Sequence, residues 1–410
     1  MKNKNAYSIL ICAVSTLVLF CTLGLATSTI SIYLPYIISH GHLTSTQGSS
    51  ILSLRSLSSL IVIAVVVDIF YRKVKLRWGI AIALLCDAAA FFTYGTAEYY
   101  WQYCFAAVLA GIGYGIGGIV PVSILINRWF KTNRSLAIGI CTAGSGVATI
   151  IVPPIFVGLA ENISLQAAFL GMMTMTIIVS VLCMLFVRDN PMDIGKQPFS
   201  SDKEENIKKV NYSETDLSRG SRWVVLLGVL LLGAASHSAN QHVGVLYTSN
   251  GVSETVVSML ISISGIALTF GKMMCGYVDD RIGGRKTLLI FSGFFLAGLL
   301  LNCLAGGGYV WIDLIAVVIL NMGMPLTTVG TTMIAHDMST EKTYARMIKD
   351  CQSATMVGAV LFTTVPGMIE DMTGSYVPAY YLLFATALIA SVILQYTYYK
   401  RGKNVKKSQI

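Results

Sequence analysis

The sequence predicts an all-α membrane protein, with twelve transmembrane helices arranged as two pseudo-symmetric six-helix bundles. Three observations predict it. Of 410 residues, 55% are hydrophobic and 12% charged, too few charges to cover the surface of an aqueous domain of this size. Apolar stretches of about 20 residues, each able to cross roughly 30 Å of hydrocarbon as a helix, recur along the whole length. The bases are segregated: 27 of the 29 Lys and Arg fall in alternate connecting segments or the two ends.

The spans are expected at 8–36, 46–67, 78–97, 102–126, 135–157, 166–187, 223–248, 255–278, 287–305, 311–334, 347–366 and 378–398. Each must be a helix, because lipid offers no partner for a free backbone amide. The first is too long for a signal-peptide core and lacks a small-residue exit, so it is expected to remain as a mature helix.

Positive charge is retained on the cytoplasmic side. With the N-terminus inside, the cytoplasmic segments carry Lys2 and Lys4, four bases in 72–77, Arg128, Lys131 and Arg134, seven in 188–222, Arg281, Arg285 and Lys286, Lys342, Arg346 and Lys349, and five in 400–407; the six outer loops carry none. The expected location is the cell membrane, with both termini cytoplasmic. The net charge of +9 then reflects orientation in the bilayer, and nucleic acid is not needed to explain it. Nine cysteines lie singly in apolar spans, without a C-x-x-C, so neither a metal site nor a disulfide framework is expected.

The polar stretch 188–222 reads as a flexible cytoplasmic linker between an N-terminal bundle, 1–187, and a C-terminal bundle with a basic tail, 223–410. A gapless shift of 212 residues carries Asp68 to Asp280, Arg134 to Arg346, Gly146 to Gly358 and Pro154 to Pro366. Four matches in equivalent loops and helices argue for an internal parallel repeat.

The segment from Gly276 through Asp280, Arg281, Gly283 and Gly284 to Arg285 and Lys286 resembles the G-x-x-x-D-R-x-G-R-K signature of the major facilitator superfamily; Ala64, Asp68, Arg72 and Lys73 form a degraded first-half copy. The small residue lets helices approach, and the carboxylate and bases can pair at helix ends. Asp68, Arg72, Arg134, Asp280, Arg281 and Arg346 are accordingly expected to form a cytoplasmic gate. Arg128–Gly139 (RWFKTNRSLAIG), His242–Val252 and Pro366–Tyr376 (PGMIEDMTGSY) are similar to segments of the branch that holds oxalate/formate antiporters and monocarboxylate transporters. This resemblance, which spans nearly the whole chain, implies a carrier functional as a monomer. Departures bear on substrate: Lys272 stands where the branch commonly has arginine, Leu268 where monocarboxylate transporters often place an aspartate, Ser28 near the place of their first-helix lysine, and 351–366 has no base.

Arg55 and Lys272 are the two bases inside expected spans. A cation at a helix centre costs about 2.5–3.5 kcal/mol on insertion scales, so a compensating role is expected. Under the 212-residue shift Lys272 maps to position 60, placing the two on equivalent helices and about 7 Å apart in depth; in the superfamily those helices flank the central cavity. Two bases in a low-dielectric cavity attract an anion: Arg55 could grip a carboxylate with its fork and Lys272 could add a point charge. Snorkelling or a permanent internal ion pair are the structural alternatives. Asp87 lies at a depth matching Arg55 and reads either as its structural counter-charge or as a proton-coupling site. His242, Tyr33, Tyr114 and Ser28 complete the candidate substrate-binding set, with ordinary packing the rival role for each. The glycine run 113–118 formally matches G-x-G-x-x-G, but it lies inside a span with no preceding strand, so close helix packing is expected rather than nucleotide binding.

The expected function is secondary active transport of small organic anions, most specifically monocarboxylates, by alternating access with proton symport or exchange against a counter-anion. Export of hydrophobic or zwitterionic compounds by proton antiport is the alternative. No enzyme motif, cofactor or metal is expected.

Overall fold

The structure, a computed structural model, describes residues 6–43, 45–199, 217–252, 254–304 and 309–408. Among these residues twelve helices are long and apolar enough to cross a membrane. They are α1 (Ala6–Ser28), α2 (Ser50–Lys73), α3 (Leu76–Thr96), α4 (Tyr100–Trp129), α5 (Arg134–Asn162), α6 (Leu165–Phe186), α7 (Arg219–Gly244), α8 (Met259–Ile282), α9 (Gly284–Asn302), α10 (Val310–Asp337), α11 (Tyr344–Glu370) and α12 (Val377–Arg401). Each coincides with one expected span. The first expected span is two helices, because the chain breaks at Thr29 and resumes over Ile30–His40.

The chain divides into two compact units, Met1–Ile207 and Lys208–Ile410. Within each, small residues set how closely helices approach, since lipid provides no hydrophobic drive for helices to pack together. In unit two, a Cβ on Gly358 of α11 would run into the Leu230 carbonyl of α7, and one on Gly233 of α7 would lie 2.7 Å from Thr355 Cα. The opposite faces are apolar and exposed: Leu388, Val392, Tyr396 and Tyr399 recur along α12, and Trp78, Ile82 and Leu85 along α3, at the three- and four-residue spacing of one helical stripe.

Several spans are irregular. α1 is wound as a π-helix over Phe20–Ser28 and α2 over Val62–Val66. α4 breaks at Gly118, and α10 passes through a 3₁₀ turn at Met324–Thr327. The 212-residue shift takes Gly118 to Gly330, just beyond that turn, so the fourth helix of each half is interrupted at a similar level. Interrupted helices at corresponding positions of two repeats mark the region where transporters of this architecture bind their cargo.

The first part of the expected flexible linker is folded onto unit one. Trp129 Nε1 donates to the Arg188 carbonyl at 2.8 Å, Pro191–Ile194 makes a 3₁₀ turn, and Phe130 pairs with Phe199 through an isolated bridge and a 5.2 Å ring contact. Asp189 accepts from the Leu76 and Arg77 amides at 2.9 and 3.2 Å and so caps the start of α3, where its negative charge meets the positive end of the helix dipole. Residues 200–216 of the linker lie outside the described residues, and its last residues, from Arg219, are the first turn of α7.

Candidate functional site

In unit one the site grows from four alternate glycines of α4. A Cβ on Gly111 would stand 2.6 Å from the Arg55 carbonyl, and one on Gly115 would stand 2.5 Å from Val62; both glycines face α2. Gly113 and Gly117 face α3, where a Cβ would strike the Asp87 carboxylate and approach Ala83 to 2.6 Å. Residues four apart share a helix face, so one short run seats two neighbours. Ser58 and Ser59 of α2 tie down the first contact by donating to the carbonyls of Val108 and Gly111 at 3.0 and 3.1 Å. The run is therefore a packing device, as expected from its position inside a span.

Arg55 is only 5% exposed in this interface. Its Nη2 donates to the Thr27 hydroxyl, and its guanidinium carbon lies 6.0 Å from the centre of the Tyr114 ring, at the edge of cation–π range. Among the described residues no group accepts from its Nε. The π-helical turn supplies Thr27: its hydroxyl and that of Ser28 donate five residues back, to Thr22 O at 3.3 Å and Leu23 O at 3.0 Å.

Asp87 is fully buried, and among the described residues neither carboxylate oxygen has a hydrogen-bond partner. The hydrogen-bonded pair with Arg55 suggested by their matching depths does not form. The carboxylate rests against Gly113 while the guanidinium turns toward Thr27 and Tyr114, leaving the two coupled only through space. Tyr33 is completely buried, 4.4 Å from the Phe156 ring and 5.7 Å from that of Phe169, with its hydroxyl 2.6 Å from Thr29 Oγ1. It packs in an aromatic cluster, whereas Tyr114 flanks the buried cation.

In unit two Lys272 is 3% exposed on α8. The preceding Gly271 has room for a Cβ only to 3.2 Å from Pro325, in the interrupted part of α10. Polar side chains gather around that interruption: Ser236 Oγ lies 3.4 Å from Thr327 Oγ1, and Gln352 Nε2 donates to Thr331 Oγ1 at 2.8 Å. His242 donates from Nδ1 to the Ser238 carbonyl at 2.9 Å and stands 6.0 Å from the Tyr376 ring. One ring nitrogen is thus committed to its own helix.

The expected gate residues lie at the ends where the bases gather. Asp68 and Arg72 occupy the last turns of α2, and Arg134 Nε donates to the Phe130 carbonyl at 2.7 Å. Asp280 is buried, Arg281 sits 4.5 Å over the Tyr277 ring, and Arg346 is exposed. Gly283, at φ +83°, makes the turn between α8 and α9, and Gly284 leaves room for the Asp337 carboxylate, which also accepts from Tyr398 at 2.8 Å.

Three pairings have no sequence signal beyond residue type, because their partners come from distant segments. They are the Asp189 cap on α3, the Arg222–Asp350 ion pair between α7 and α11, and the contact of the free thiols Cys12 and Cys141, whose sulfurs lie 3.6 Å apart.

Twelve spanning helices in two units, each with a buried cation beside interrupted or π-wound helices, define a polytopic membrane transporter. The sequence model of the Major Facilitator Superfamily matches residues 16–348 and 225–409, and the chain belongs to that family. It is similar to a putative tartrate transporter of Agrobacterium vitis, 25% identical over 363 residues that cover 82% of this chain and 76% of the relative. It is also similar to monocarboxylate transporter 13 of Rattus norvegicus, 22% identical over 324 residues covering 79% and 72%. In fold it matches the crystal structure of the human organic anion transporter MFSD10 (TETRAN), with a TM-score of 0.70 and 11% identity over 94% of this chain and 99% of that one. The chain is a transporter of this superfamily, whose members are not enzymes.

Proposed function

We propose that the protein is a secondary active carrier of small organic anions, monocarboxylates foremost, working by alternating access in the cell membrane as a monomer with both termini cytoplasmic. The observation that carries the reading is Arg55: a guanidinium buried in a membrane span, held by one neutral hydroxyl and one aromatic face, with no acceptor for Nε among the described residues. A buried charge with unmatched donors is costly, and a carboxylate repays that cost best because its two oxygens match the guanidinium fork. Lys272 offers a second buried cation whose ammonium imposes less geometry on its partner. Tyr114 and Ser28 of unit one and His242 of unit two are the further side chains proposed to touch the cargo. Asp68, Arg72, Arg134, Asp280, Arg281 and Arg346 are the proposed gate.

Asp87 is the proposed proton-coupling group. A carboxylate with no hydrogen bond, within the field of Arg55, makes the guanidinium's pull on an anion depend on whether a proton is present. Purified protein in liposomes tests both parts. Labelled lactate, formate or tartrate should accumulate under an imposed proton gradient or an internal anion load, and Asp87→Asn should abolish the response to the gradient while sparing anion exchange. Uptake of neutral compounds with failure of every carboxylate would overturn the anion reading; an unchanged gradient response in Asp87→Asn would remove Asp87 from coupling and leave the anion reading standing.

A further inference from the structure

Helices α9 and α12 of unit two meet along a stripe that the transport reading does not use. Gln395 of α12 donates to the Arg285 carbonyl at 3.0 Å, and the Arg285 guanidinium stands 5.5 Å from the centre of the Tyr399 ring. Lys286 and Lys400 are exposed at the same end of the two helices. Toward the middle of the span the stripe turns apolar, with Leu289 63%, Val392 60% and Tyr396 59% exposed. Leu289 follows Arg285 by four residues, and Val392, Tyr396 and Tyr399 keep a single face of α12, so the order along the stripe is aliphatic, aromatic, basic.

The charge is one-sided. Neither 284–304 nor 374–410 contains an Asp or Glu. The carboxylates of the adjoining segments are directed away from the stripe: Asp337 is turned inward against Gly284 and Tyr398, and Asp279 and Asp280 at the end of α8 are buried, leaving the outer side of the first turn of α9 to Arg285 and Lys286. Tyrosines between an apolar band and a basic rim occupy the level of lipid headgroups, and lysine and arginine reach from there toward phosphate.

We infer that the α9–α12 stripe is a binding site for an anionic phospholipid, whose phosphate is held by Arg285, Lys286 and Lys400 and whose acyl chain lies along Tyr396, Val392 and Leu289. A zwitterionic lipid would gain less there, because its own ammonium opposes three bases. The Arg285 guanidinium over the Tyr399 ring, on a backbone whose carbonyl is tied to Gln395, distinguishes the stripe from a merely solvated basic rim.

The test is native mass spectrometry of the full-length protein released from nanodiscs of equimolar phosphatidylglycerol and phosphatidylcholine. The triple variant Arg285→Gln, Lys286→Gln, Lys400→Gln should retain about tenfold less phosphatidylglycerol than the unaltered chain, with phosphatidylcholine unchanged. A charge-matched triple in unit one, Lys75→Gln, Arg128→Gln, Lys131→Gln, should retain it normally. Equal loss in both triples would reduce the effect to overall charge and overturn the site. Displacement of the lipid by millimolar inorganic phosphate would overturn it in favour of a soluble anion. Should the triple not be monodisperse, Tyr399→Leu with Lys400→Gln gives the same reading, and normal retention in that pair rejects the proposal.

Discussion

Among the described residues the two units bury one Lys or Arg each, on α2 and α8, yet they treat it differently. Around Arg55 the neighbours are a hydroxyl from a π-helical turn, the face of Tyr114 and, through space, the unbonded carboxylate of Asp87. Lys272 instead is carried by a helix that packs through Gly271 against the interrupted part of α10, where Ser236 meets Thr327 and Gln352 meets Thr331. An arginine cannot shed its charge in a protein, whereas a lysine can when buried. The permanent charge therefore lies in the unit that also buries Asp87, and the adaptable one on the equivalent helix of the other unit. The repeat preserved the helix and the sign of the charge while the chemistry around each diverged.

The sharpest way to break this comparison is to remove the permanent charge. Arg55→Ala should lower carboxylate uptake in liposomes by at least about 100-fold, the scale on which losing one partner of a desolvated charge pair falls. Arg55→Lys should recover little of it, because an ammonium lacks the fork. Full activity in Arg55→Lys would make the two cations interchangeable and dissolve the asymmetry.

Next in size is the packing that seats Asp87. Gly113→Ala should cost about 2 kcal/mol of stability, since the new methyl meets the carboxylate in a close-packed interface. Gly158→Ala, where nothing lies within 4 Å of the new atom, should be neutral or slightly stabilising. Thermal melting in detergent compares them, and equal melting temperatures would show that α4 does not hold the carboxylate in place.

Lys272 should matter less than Arg55. Lys272→Gln should raise the KM for carboxylate about tenfold by removing a point charge, and Lys272→Arg should restore the unaltered value or better it. A loss on the scale of Arg55→Ala would make the second unit the principal anchor and invert the comparison.

How much of this was legible in the sequence follows from the range of each signal. Twelve spans were readable because hydropathy and the sorting of bases are local or additive, and both register the bilayer rather than any tertiary contact. Arg55 and Lys272 were readable because a base inside an apolar span is conspicuous by itself. Their partners were not. Thr27 reaches Arg55 only because α1 is wound as a π-helix over Phe20–Ser28, and one residue more per turn is invisible to apolar periodicity. The expected Arg55–Asp87 pair failed for a related reason: matching depth fixes height but not azimuth, and the glycine faces of α4 direct Asp87 to one side and Arg55 to the other. Tyr33 and Tyr114 looked alike in sequence, yet one is locked between Phe156 and Phe169 and the other stands at the cation.

That last contrast gives the smallest effect and the finest test of the asymmetry. The face of Tyr114, not its hydroxyl, is what Arg55 meets, so Tyr114→Phe should keep the quadrupole and change KM by no more than about twofold. Tyr114→Leu removes the ring at similar bulk, and the lost attraction of about 0.5–1 kcal/mol leaves the guanidinium less fixed, which should raise KM two- to fivefold at unchanged kcat. The matching change at Tyr33 should act on folding instead, because that ring fills a fully buried cluster: Tyr33→Leu should lower the melting temperature and leave the KM of the folded fraction unaltered. If Tyr114→Leu lowered stability and spared KM while Tyr33→Leu did the reverse, the roles of the two rings would be exchanged. Arg55 would then have to be oriented by Thr27 alone, a single neutral hydroxyl set by the pitch of α1.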